Sequence, residues 1–510
     1  MAVNREEILL LGVDVGTSGT KAVLFDANGG GLARAHESYA LHHPAPGFFE
    51  LDPEEVWSAV ASCLRRIGRE YGRKAIKALA VSVQGEAVIP IGKEGRPLAR
   101  SPISADMRGA AYLDQLARQL DPTQICEITG QPPSSLSSLT KIMWWHEHCP
   151  DLHKKTWKFY CYGEFILARL GMEPVIDESM ASRTMVYDIR QKRWSPELLC
   201  QAELASNLFP SVVPSGTVVG KMSDVVASDL DLPPGIEIVV GGHDQACAAF
   251  GAGVVDSQRA LYSIGTTEVI AAVLDSPLRS LPEKNVSCYP HVVPEKHIAL
   301  VGSQTGGRLL QWFTETFVRV ADLELRPTAL PIEKLTEEID GQPGELMLLP
   351  FFAGSGSVRN DPSAKGALIG LTFETGLEDI VKAFLEGITY EQAAGLSHVP
   401  EIDKQVRMFR CGGGGTRSPV WLQIKANILG RPIETLDVED TACLGAALIA
   451  GCGIGIFDSP RQLLPESSDP DRDSNRIRGN TPNTAKNSRC MGAWRTSLRD
   501  QCNCHYRLLR

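Results

Sequence analysis

The stretch LLLGVDVGTSGTKAVLFD, residues 9–26, decides the fold of this chain. An apolar run that ends at Asp14 predicts a buried strand, and a second apolar run follows Lys21. Between them lies a glycine-bounded turn, Gly16–Gly19, which we call hairpin 1. Glycines let a backbone approach a ligand closely, and successive turn N–H groups form an anion-binding concavity. The stretch therefore predicts a strand, a phosphate-binding turn and a strand, although a turn without a ligand fits the same residues.

Three further stretches add to this pattern. IEIVVGGHDQACAAFGAG (236–253) reads as a buried strand followed by a small-residue helix that begins at an aspartate. LYSIGTTEVI (261–270) reads as another strand, turn and strand, and its tip, Gly265–Thr267, is called hairpin 2. CGGGGTRSPVWLQIKANILG (411–430) contains a glycine loop, Gly412–Gly415, before a capped helix.

Together these stretches resemble the FGGY family of carbohydrate kinases, from about residue 8 to about residue 457. Further family-like segments are GFFELDPEEVW (47–57), DESMASRTMVYDI (177–189), LLPFFAGSGSVRNDPSAKGALIGLTF (348–373) and VEDTACLGAALIAGCGIGIF (438–457). The resemblance is greatest to the xylulose kinase branch. It implies an α/β protein with two domains of the ribonuclease-H/actin-like ATPase type and an active site in the cleft between them.

The chain is accordingly divided into three parts. Residues 1–250 are expected to form the N-terminal domain, with the sugar side, hairpin 1 and the base. Residues 251–457 are expected to form the C-terminal, nucleotide-binding domain. The polar segment 458–510 does not resemble the family, which is compatible with a disordered segment or with the product of a shifted reading frame.

Local patterns predict several elements within these domains. Residues 8–40 read as a three-stranded antiparallel meander, and residues 53–72 as a helix with one apolar face. Residues 174–190 read as extended. Residues 377–397 read as an amphipathic helix.

Composition excludes several other classes of protein. A chain of 510 residues is too long for one core, and a net charge of −10 argues against nucleic acid as the main partner. The polar start and the lack of a long apolar run argue against a signal peptide or a membrane span. An odd number of scattered cysteines, 13, favours free thiols in a reducing cytoplasm.

Phosphoryl transfer needs positioned phosphates, a metal that offsets charge, and a base that takes the acceptor's proton. Asp244 is the candidate base, and the resemblance gives its position the same role. A helix N-terminus there is expected to favour the ionised carboxylate, although Asp244 could equally serve only as a helix cap. Asp14 and Asp244 are predicted to lie at Mg²⁺, Asp14 through water. The neighbouring His243 is expected to be a packed or hydrogen-bonded neighbour rather than a second base.

The nucleotide side is predicted to bind ATP. The residues assigned to it are Gly16, Thr17, Ser18, Lys21, Gly265, Thr266, Thr267, Gly412, Gly413, Gly414, Gly415, Gln423 and Asn427. Gln423 and Asn427 stand one helical turn apart, so they could face the adenosine or form a solvated face.

The sugar side needs side chains that both donate to and accept from hydroxyl groups. The residues assigned to it are Gln84, Glu86, Asp106, Arg108, Asp244 and Gln245. Family members carry Gln-Arg-Glu or Gln-Met-His at the first of these positions, whereas this chain has Gly85. Ser104 replaces the tryptophan of the family's W-x-D-x-R pattern. Asp106 and Arg108 could alternatively form only an ion pair.

These assignments predict ATP-dependent phosphorylation of a ketopentose such as xylulose. Ribulose, erythritol or gluconate are alternative acceptors, and a non-catalytic nucleotide-dependent sensor of the same fold is an alternative function. The predicted partners are a small-molecule sugar and ATP, without nucleic acid or membrane. A homodimer is compatible with the resemblance.

Overall fold

Two large β-sheets, with helices and five two-stranded sheets around them, make up the described part of the protein in a computed structural model. The structure describes residues 8–71, 76–279, 281–317, 332–340, 342–357, 359, 361, 363–436, 438–457 and 476–477. No helix in these ranges has the length and apolar content to cross a membrane.

The first part of the chain, to residue 254, contains the six-stranded first sheet and four two-stranded sheets. Its strands are β1 (Leu9–Val15), β2 (Gly19–Asp26), β3 (Gly31–Ser38), β4 (Glu50–Leu51), β5 (Ile76–Val83), β6 (Ile89–Ile91), β7 (Ser101–Pro102), β8 (Lys158–Tyr160), β9 (Val175–Asp177), β10 (Tyr187–Asp188), β11 (Arg193–Trp194), β12 (Ser211–Val213), β13 (Val218–Lys221) and β14 (Glu237–His243). Its helices are α1 (Pro53–Tyr71), α2 (Ala111–Gln119), α3 (Pro122–Thr129), α4 (Ser138–His148), α5 (Pro150–Lys155), α6 (Tyr162–Arg169), α7 (Glu178–Arg183), α8 (Pro196–Gln201), α9 (Asp224–Asp229) and α10 (Asp244–Gly251).

The second part contains the seven-stranded second sheet and one two-stranded sheet. Its strands are β15 (Arg259–Ile264), β16 (Glu268–Leu274), β17 (Ser287–Pro290), β18 (His297–Ser303), β19 (Met347–Leu349), β20 (Ala367–Ile369), β21 (Met408–Gly412), β22 (Ile433–Thr435) and β23 (Arg476–Ile477). Its helices are α11 (Leu281–Lys284), α12 (Gly307–Phe317), α13 (Ile332–Leu335), α14 (Leu377–His398), α15 (Pro400–Asp403), α16 (Pro419–Leu429) and α17 (Thr441–Gly453).

The first sheet has six strands in the order β13-β14-β5-β1-β2-β3. Strands β1, β2 and β3 form the predicted antiparallel meander, which confirms that prediction. Strand β5 runs parallel to both β1 and β14, and it pairs Val83 with Val15 and with His243. The carboxyl ends of β1, β5 and β14 therefore meet at one edge of the sheet.

The second sheet has seven strands in the order β17-β18-β16-β15-β21-β22-β23. Strand β15 is antiparallel to β16 and parallel to β21, and Ser263 pairs with Gly412. Hairpin 2 and the glycine loop consequently start at the same edge, as the two strand ends predict.

Helices α10 and α17 lie between the two sheets. Their apolar residues form one buried cluster with residues from both sheets, such as Leu10 and Leu261. The contacts are backbone to backbone: a Cβ atom on Gly445 would lie 1.9 Å from the carbonyl oxygen of Cys247. A Cβ on Gly12 of β1 would lie 1.9 Å from the Cys443 carbonyl oxygen. Only glycine lets these segments approach so closely.

The structure differs from the local predictions in two places. Residues 174–190 are not extended throughout, because Asp177 caps α7 by accepting from the backbone N–H groups of Ser179 and Met180. Helix α17, which the domain division groups with the second part, packs against β1 and β5 of the first sheet. The tail 458–510 lies outside the described residues except for 476–477, which pair with β22. The three-part division of the chain stays a prediction.

Candidate active site

The predicted base and three other predicted residues lie at the edge where the parallel strands of the first sheet end. Asp14 is on β1, where its Oδ1 accepts from the hydroxyl of Ser82 at 2.8 Å. Gln84 follows β5, and its side-chain amide donates to the Gly16 carbonyl at 3.1 Å. Asp244 and Gln245 follow β14 as the first residues of α10. The fold thus brings together residues that are 230 positions apart in the chain (244 − 14), at the edge where open parallel sheets bind ligands.

The carboxylate of Asp244 contacts the side chain of His243 and accepts from the backbone N–H of Gln245. His243 is the residue that precedes α10, and its side chain makes no cap. Its Nε2 lies 3.2 Å from Asp244 Oδ1, and its Nδ1 lies 2.7 Å from the Tyr289 hydroxyl. Burial lowers the pKa of His243 well below its usual value, and the charge of Arg183 adds to this. The ring is therefore neutral, and an ionised Asp244 selects the tautomer that carries its proton on Nε2 and accepts from the Tyr289 hydroxyl at Nδ1.

Burial raises the pKa of Asp244 to about 7, and the negative charges of Asp14 and Glu86 act in the same direction. This differs from the expectation that the helix N-terminus would favour the ionised form, because loss of hydration outweighs the helix. A carboxylate whose pKa lies near neutral pH is suited to accept a proton from a sugar hydroxyl.

Asp14 is a second carboxyl at this edge, and like Asp244 it is half-buried. Its burial raises its pKa, which the Ser82 hydrogen bond and the charge of Lys21 oppose. Mg²⁺ in phosphate-transfer sites takes one or two carboxylates together with water and phosphate oxygens. Asp14 and Asp244 fit that donor set. The described residues contain no cluster of three or more metal-binding side chains, which a magnesium ion held mainly by phosphates does not require.

Glu86 is fixed by a residue that sequence reasoning missed. Its backbone has a left-handed φ of 64°, and its Oε1 accepts from Arg183 Nε at 2.7 Å and also from Arg183 Nη2. Arg183 belongs to the family-like segment 177–189, which is the only sequence signal that pointed to it. The pairing joins two residues 97 positions apart, so local pattern could not reveal it.

Asp106 and Arg108 form a buried ion pair. Arg108 Nε donates to Asp106 Oδ1 at 2.8 Å, and Arg108 Nη2 donates to Glu50 at 2.6 Å. The guanidinium lies 4.3 Å from the ring centre of Phe48 and 5.0 Å from that of Trp144. The observed contacts are those of an ion pair, which was the alternative interpretation of these two residues. Sugar binding by Asp106 and Arg108 stays a prediction.

Hairpin 1 is closed by a hydrogen bond from Gly16 N–H to the Gly19 carbonyl at 3.0 Å. Lys21, which was assigned to the terminal phosphates, places its Nζ 2.9 Å from Asp440 just before α17. The same carboxylate accepts from Arg34 at 2.8 Å. A contact from Lys21 to phosphate would therefore compete with Asp440.

Hairpin 2 and the glycine loop lie together at the carboxyl ends of β15 and β21. The Gly265 N–H donates to the Thr267 carbonyl at 3.1 Å, and the Gly265 carbonyl accepts from Gly307 at the start of α12. Gly413 has a φ of 94°, and a Cβ there would lie 2.6 Å from the carbonyl oxygen of Ile264. Glycine is required here because the loop lies directly against the end of β15.

Helix α16 starts and stops as its sequence predicts. Ser418 accepts from the backbone N–H of Trp421, and Gly430 ends the helix in the left-handed conformation. Gln423 Nε2 donates to Asn427 Oδ1 at 2.9 Å. Their contact with the nucleotide, and that of hairpin 1, hairpin 2 and the glycine loop (Gly16–Gly19, Gly265–Thr267, Gly412–Gly415), stays a prediction.

Comparison with known proteins agrees with this arrangement. The N-terminal domain of the FGGY family of carbohydrate kinases matches residues 9–251, and the C-terminal domain of that family matches residues 260–454. A xylulose kinase of Staphylococcus xylosus is 27% identical over 454 residues, which cover 89% of this chain and 92% of that protein. A gluconokinase of Bacillus subtilis is 27% identical over 458 residues, 88% of each.

The fold likewise has solved counterparts. The crystal structure of Plasmodium falciparum glycerol kinase with ADP superposes with a TM-score of 0.86 at 20% identity, over 97% of this chain and 98% of that one. Both family domains are present in order over most of the chain, so this protein belongs to the FGGY family and is a carbohydrate kinase.

Proposed function

We propose that this protein transfers the terminal phosphoryl group of ATP to a hydroxyl of a ketopentose such as xylulose, with Asp244 as the general base. The observation that carries the proposal is the position of Asp244. It stands at the carboxyl end of β14, which runs parallel to β5, beside a second carboxylate, Asp14, and loss of hydration raises its pKa to about 7. Such a group removes the hydroxyl proton as the oxygen attacks phosphorus.

MgATP is the proposed donor. Hairpin 1, hairpin 2 and the glycine loop offer backbone N–H groups and hydroxyls to the phosphates. Asp14 and Asp244 would hold Mg²⁺, which offsets the charge of the phosphate oxygens. The paired side chains of Gln423 and Asn427 would face the adenosine. Closure of the cleft around the sugar would exclude water and so limit ATP hydrolysis.

A ketopentose is the proposed acceptor because the xylulose kinase of S. xylosus is similar over nearly the whole chain. The gluconokinase and glycerol kinase relatives make a sugar acid and a small polyol the competing acceptors. Gly85, where other family members carry arginine or methionine, and Ser104, where they carry tryptophan, change the sugar side relative to the family pattern.

The test is a coupled ADP-release assay with MgATP and a panel of acceptors: D-xylulose, D- and L-ribulose, L-xylulose, glycerol, erythritol, ribitol, D-gluconate and L-rhamnulose. One ketopentose should stimulate ADP release strongly. Asp244→Asn should lower kcat by about 10²-fold or more, the usual contribution of a general base. Asp224→Asn is the matched control, because Asp224 is also the first residue of a helix but is exposed.

Two results would contradict the proposal. Near-normal turnover of Asp244→Asn would exclude Asp244 as the base. ATP binding without stimulation by any acceptor would instead favour a nucleotide-dependent sensor of the same fold.

We also propose a cytoplasmic location, which the chemistry of the cysteines supports. Cys247, Cys411 and Cys443 are buried with free thiols, as expected in a reducing compartment. A homodimer is the proposed assembly, and light scattering of the purified protein would test it by its mass.

A further inference from the structure

Gly85 leaves a space at the sugar side of the site that two other side chains occupy. A Cβ atom on Gly85 would lie 2.8 Å from His243 Nε2 and 3.4 Å from Arg183 Cγ. A longer side chain at this position would displace one or both of them. The space beside Gly85 is therefore filled by His243, which contacts the base, and by Arg183.

The guanidinium of Arg183 is fixed on one side only. Its Nε and Nη2 donate to Glu86 Oε1, and its carbon lies 5.1 Å from the centre of the Tyr289 ring. Its Nη1 is buried and has no hydrogen-bond partner among the described residues. A buried charged donor without an acceptor is unfavourable, so an acceptor supplied by a ligand would stabilise this arrangement.

Two acceptors at the same edge also lack partners. Gln84 Oε1 and Gln245 Oε1 are buried without a hydrogen bond among the described residues. Gln84 follows β5, and Gln245 follows Asp244. A ligand that both donates and accepts, as a hydroxylated sugar does, would satisfy these acceptors and Arg183 Nη1 together.

The charge of the site favours a neutral ligand. The carboxylates on its sugar side and base are Asp14, Glu50, Glu86, Asp106 and Asp244, and the cations beside them are Lys21, Arg108, Lys141 and Arg183. Each of these cations already faces at least one of the carboxylates. None of them is left to offset the charge of an additional carboxylate on the substrate, whereas a hydroxyl or carbonyl oxygen brings no charge.

We propose that Arg183 is a substrate-binding residue, whose Nη1 donates to a hydroxyl or carbonyl oxygen of a neutral sugar or polyol. In this chain the guanidinium comes from α7, while family members with Gln-Arg-Glu place it next to Glu86 in sequence. The proposal rests on the proposed kinase function and narrows it, because it excludes sugar acids as the preferred acceptor.

The experiment compares Arg183→Ala, Arg183→Lys and wild type with the best neutral acceptor and with D-gluconate. A hydrogen bond to a charged group contributes about 10- to 100-fold in binding. Arg183→Ala should therefore raise KM for the sugar about tenfold or more and leave KM for MgATP within about twofold. Added methylguanidine should restore part of the lost sugar affinity of Arg183→Ala.

Two further variants separate binding from folding. Arg183→Lys keeps a cation beside Glu86 but cannot bridge Glu86 and the sugar, so it should fold as wild type and still have a raised sugar KM. Arg69→Ala is the matched control, because Arg69 pairs with Asp231 at 2.9 Å on the exposed face of α1. It should change neither KM.

The results divide clearly. If wild type is active and Arg183→Ala has an unchanged KM for the sugar, the role of Arg183 is overturned and the proposed function is not. The same follows if Arg183→Ala raises both KM values equally and methylguanidine does not restore sugar affinity. D-gluconate as the best acceptor would overturn the neutral class. A wild type that no acceptor stimulates would refute the proposed function, and this inference with it.

Discussion

Lys425 and Glu268 form a fully buried ion pair beneath hairpin 2, and breaking it gives a sharp test. Lys425 Nζ lies 2.8 Å from each Glu268 carboxylate oxygen and 2.8 Å from the Tyr262 hydroxyl. Neither charged side chain is exposed. Glu268 directly follows hairpin 2, and Lys425 lies on α16. The perturbation is Lys425→Met, which keeps most of the side-chain volume and removes the charge.

The expected cost follows from the burial of both groups. Loss of Lys425 leaves the Glu268 carboxylate buried with the Tyr262 hydroxyl as its one remaining hydrogen-bond donor among the described residues. Breaking a buried pair in this way costs about 3–5 kcal/mol. A domain of about 150–250 residues loses about 2–4 °C per kcal/mol, so the melting temperature should fall by about 6–20 °C. The double variant Lys425→Met/Glu268→Gln leaves no buried charge and should recover most of this loss.

Differential scanning calorimetry of the wild type, both single variants and the double variant measures this coupling. Lys296→Met is the control, since its partner Asp275 is 71% exposed and such pairs contribute about 1 kcal/mol or less. A fall of less than about 2 °C for Lys425→Met, or a double variant no more stable than the single one, would refute the reasoning. If Glu268 also positions hairpin 2, KM for MgATP should rise more than KM for the sugar in Lys425→Met.

Three other predictions follow from packing, titration and exposure. Gly445→Ala should destabilise the protein by about 1–3 kcal/mol, because its Cβ would meet the Cys247 carbonyl oxygen at 1.9 Å. Gly163→Ala in α6 is the control: its nearest contact would be at 3.9 Å, so it should melt within about 3 °C of wild type. Burial raises the pKa of Glu164 to about 8, so its contribution to stability is full below its unfolded pKa and is lost as pH rises through 8. The melting temperature of Glu164→Gln minus that of wild type should therefore increase between pH 5 and 9, and a constant difference would contradict this. Cys200 is exposed, and peptide mapping after brief alkylation should find it modified before any buried cysteine of the described chain.

Sequence patterns predicted the parts of this molecule that depend on local order. The apolar runs around hairpin 1 gave the antiparallel meander, and Ser418 and Gly430 marked both ends of α16. Each of these signals lies within a few residues of the structure it specifies. Short helices such as α7 escaped, because six residues are too few to show a helical period.

The electrostatics of the site could not be predicted in the same way. A helix N-terminus suggested an ionised Asp244, but burial and the carboxylates of Asp14 and Glu86, both distant in the chain, raise its pKa instead. Arg183 pairs with Glu86, and Lys21 pairs with Asp440. In both pairs the two residues are distant in the chain. Such pairings depend on how the strands and helices assemble, which spacing along one sequence does not encode.

The glycine contacts between β1, α17 and α10 have a mechanical consequence for the two acidic groups of the site. Asp14 stands on β1 and Asp244 begins α10, and like charges at this edge repel each other. At Gly12 and Gly445 backbone meets backbone, so at these two points no side chain can rotate to absorb a displacement. The close contact of three main chains therefore resists any movement of the backbone that carries the two carboxylates.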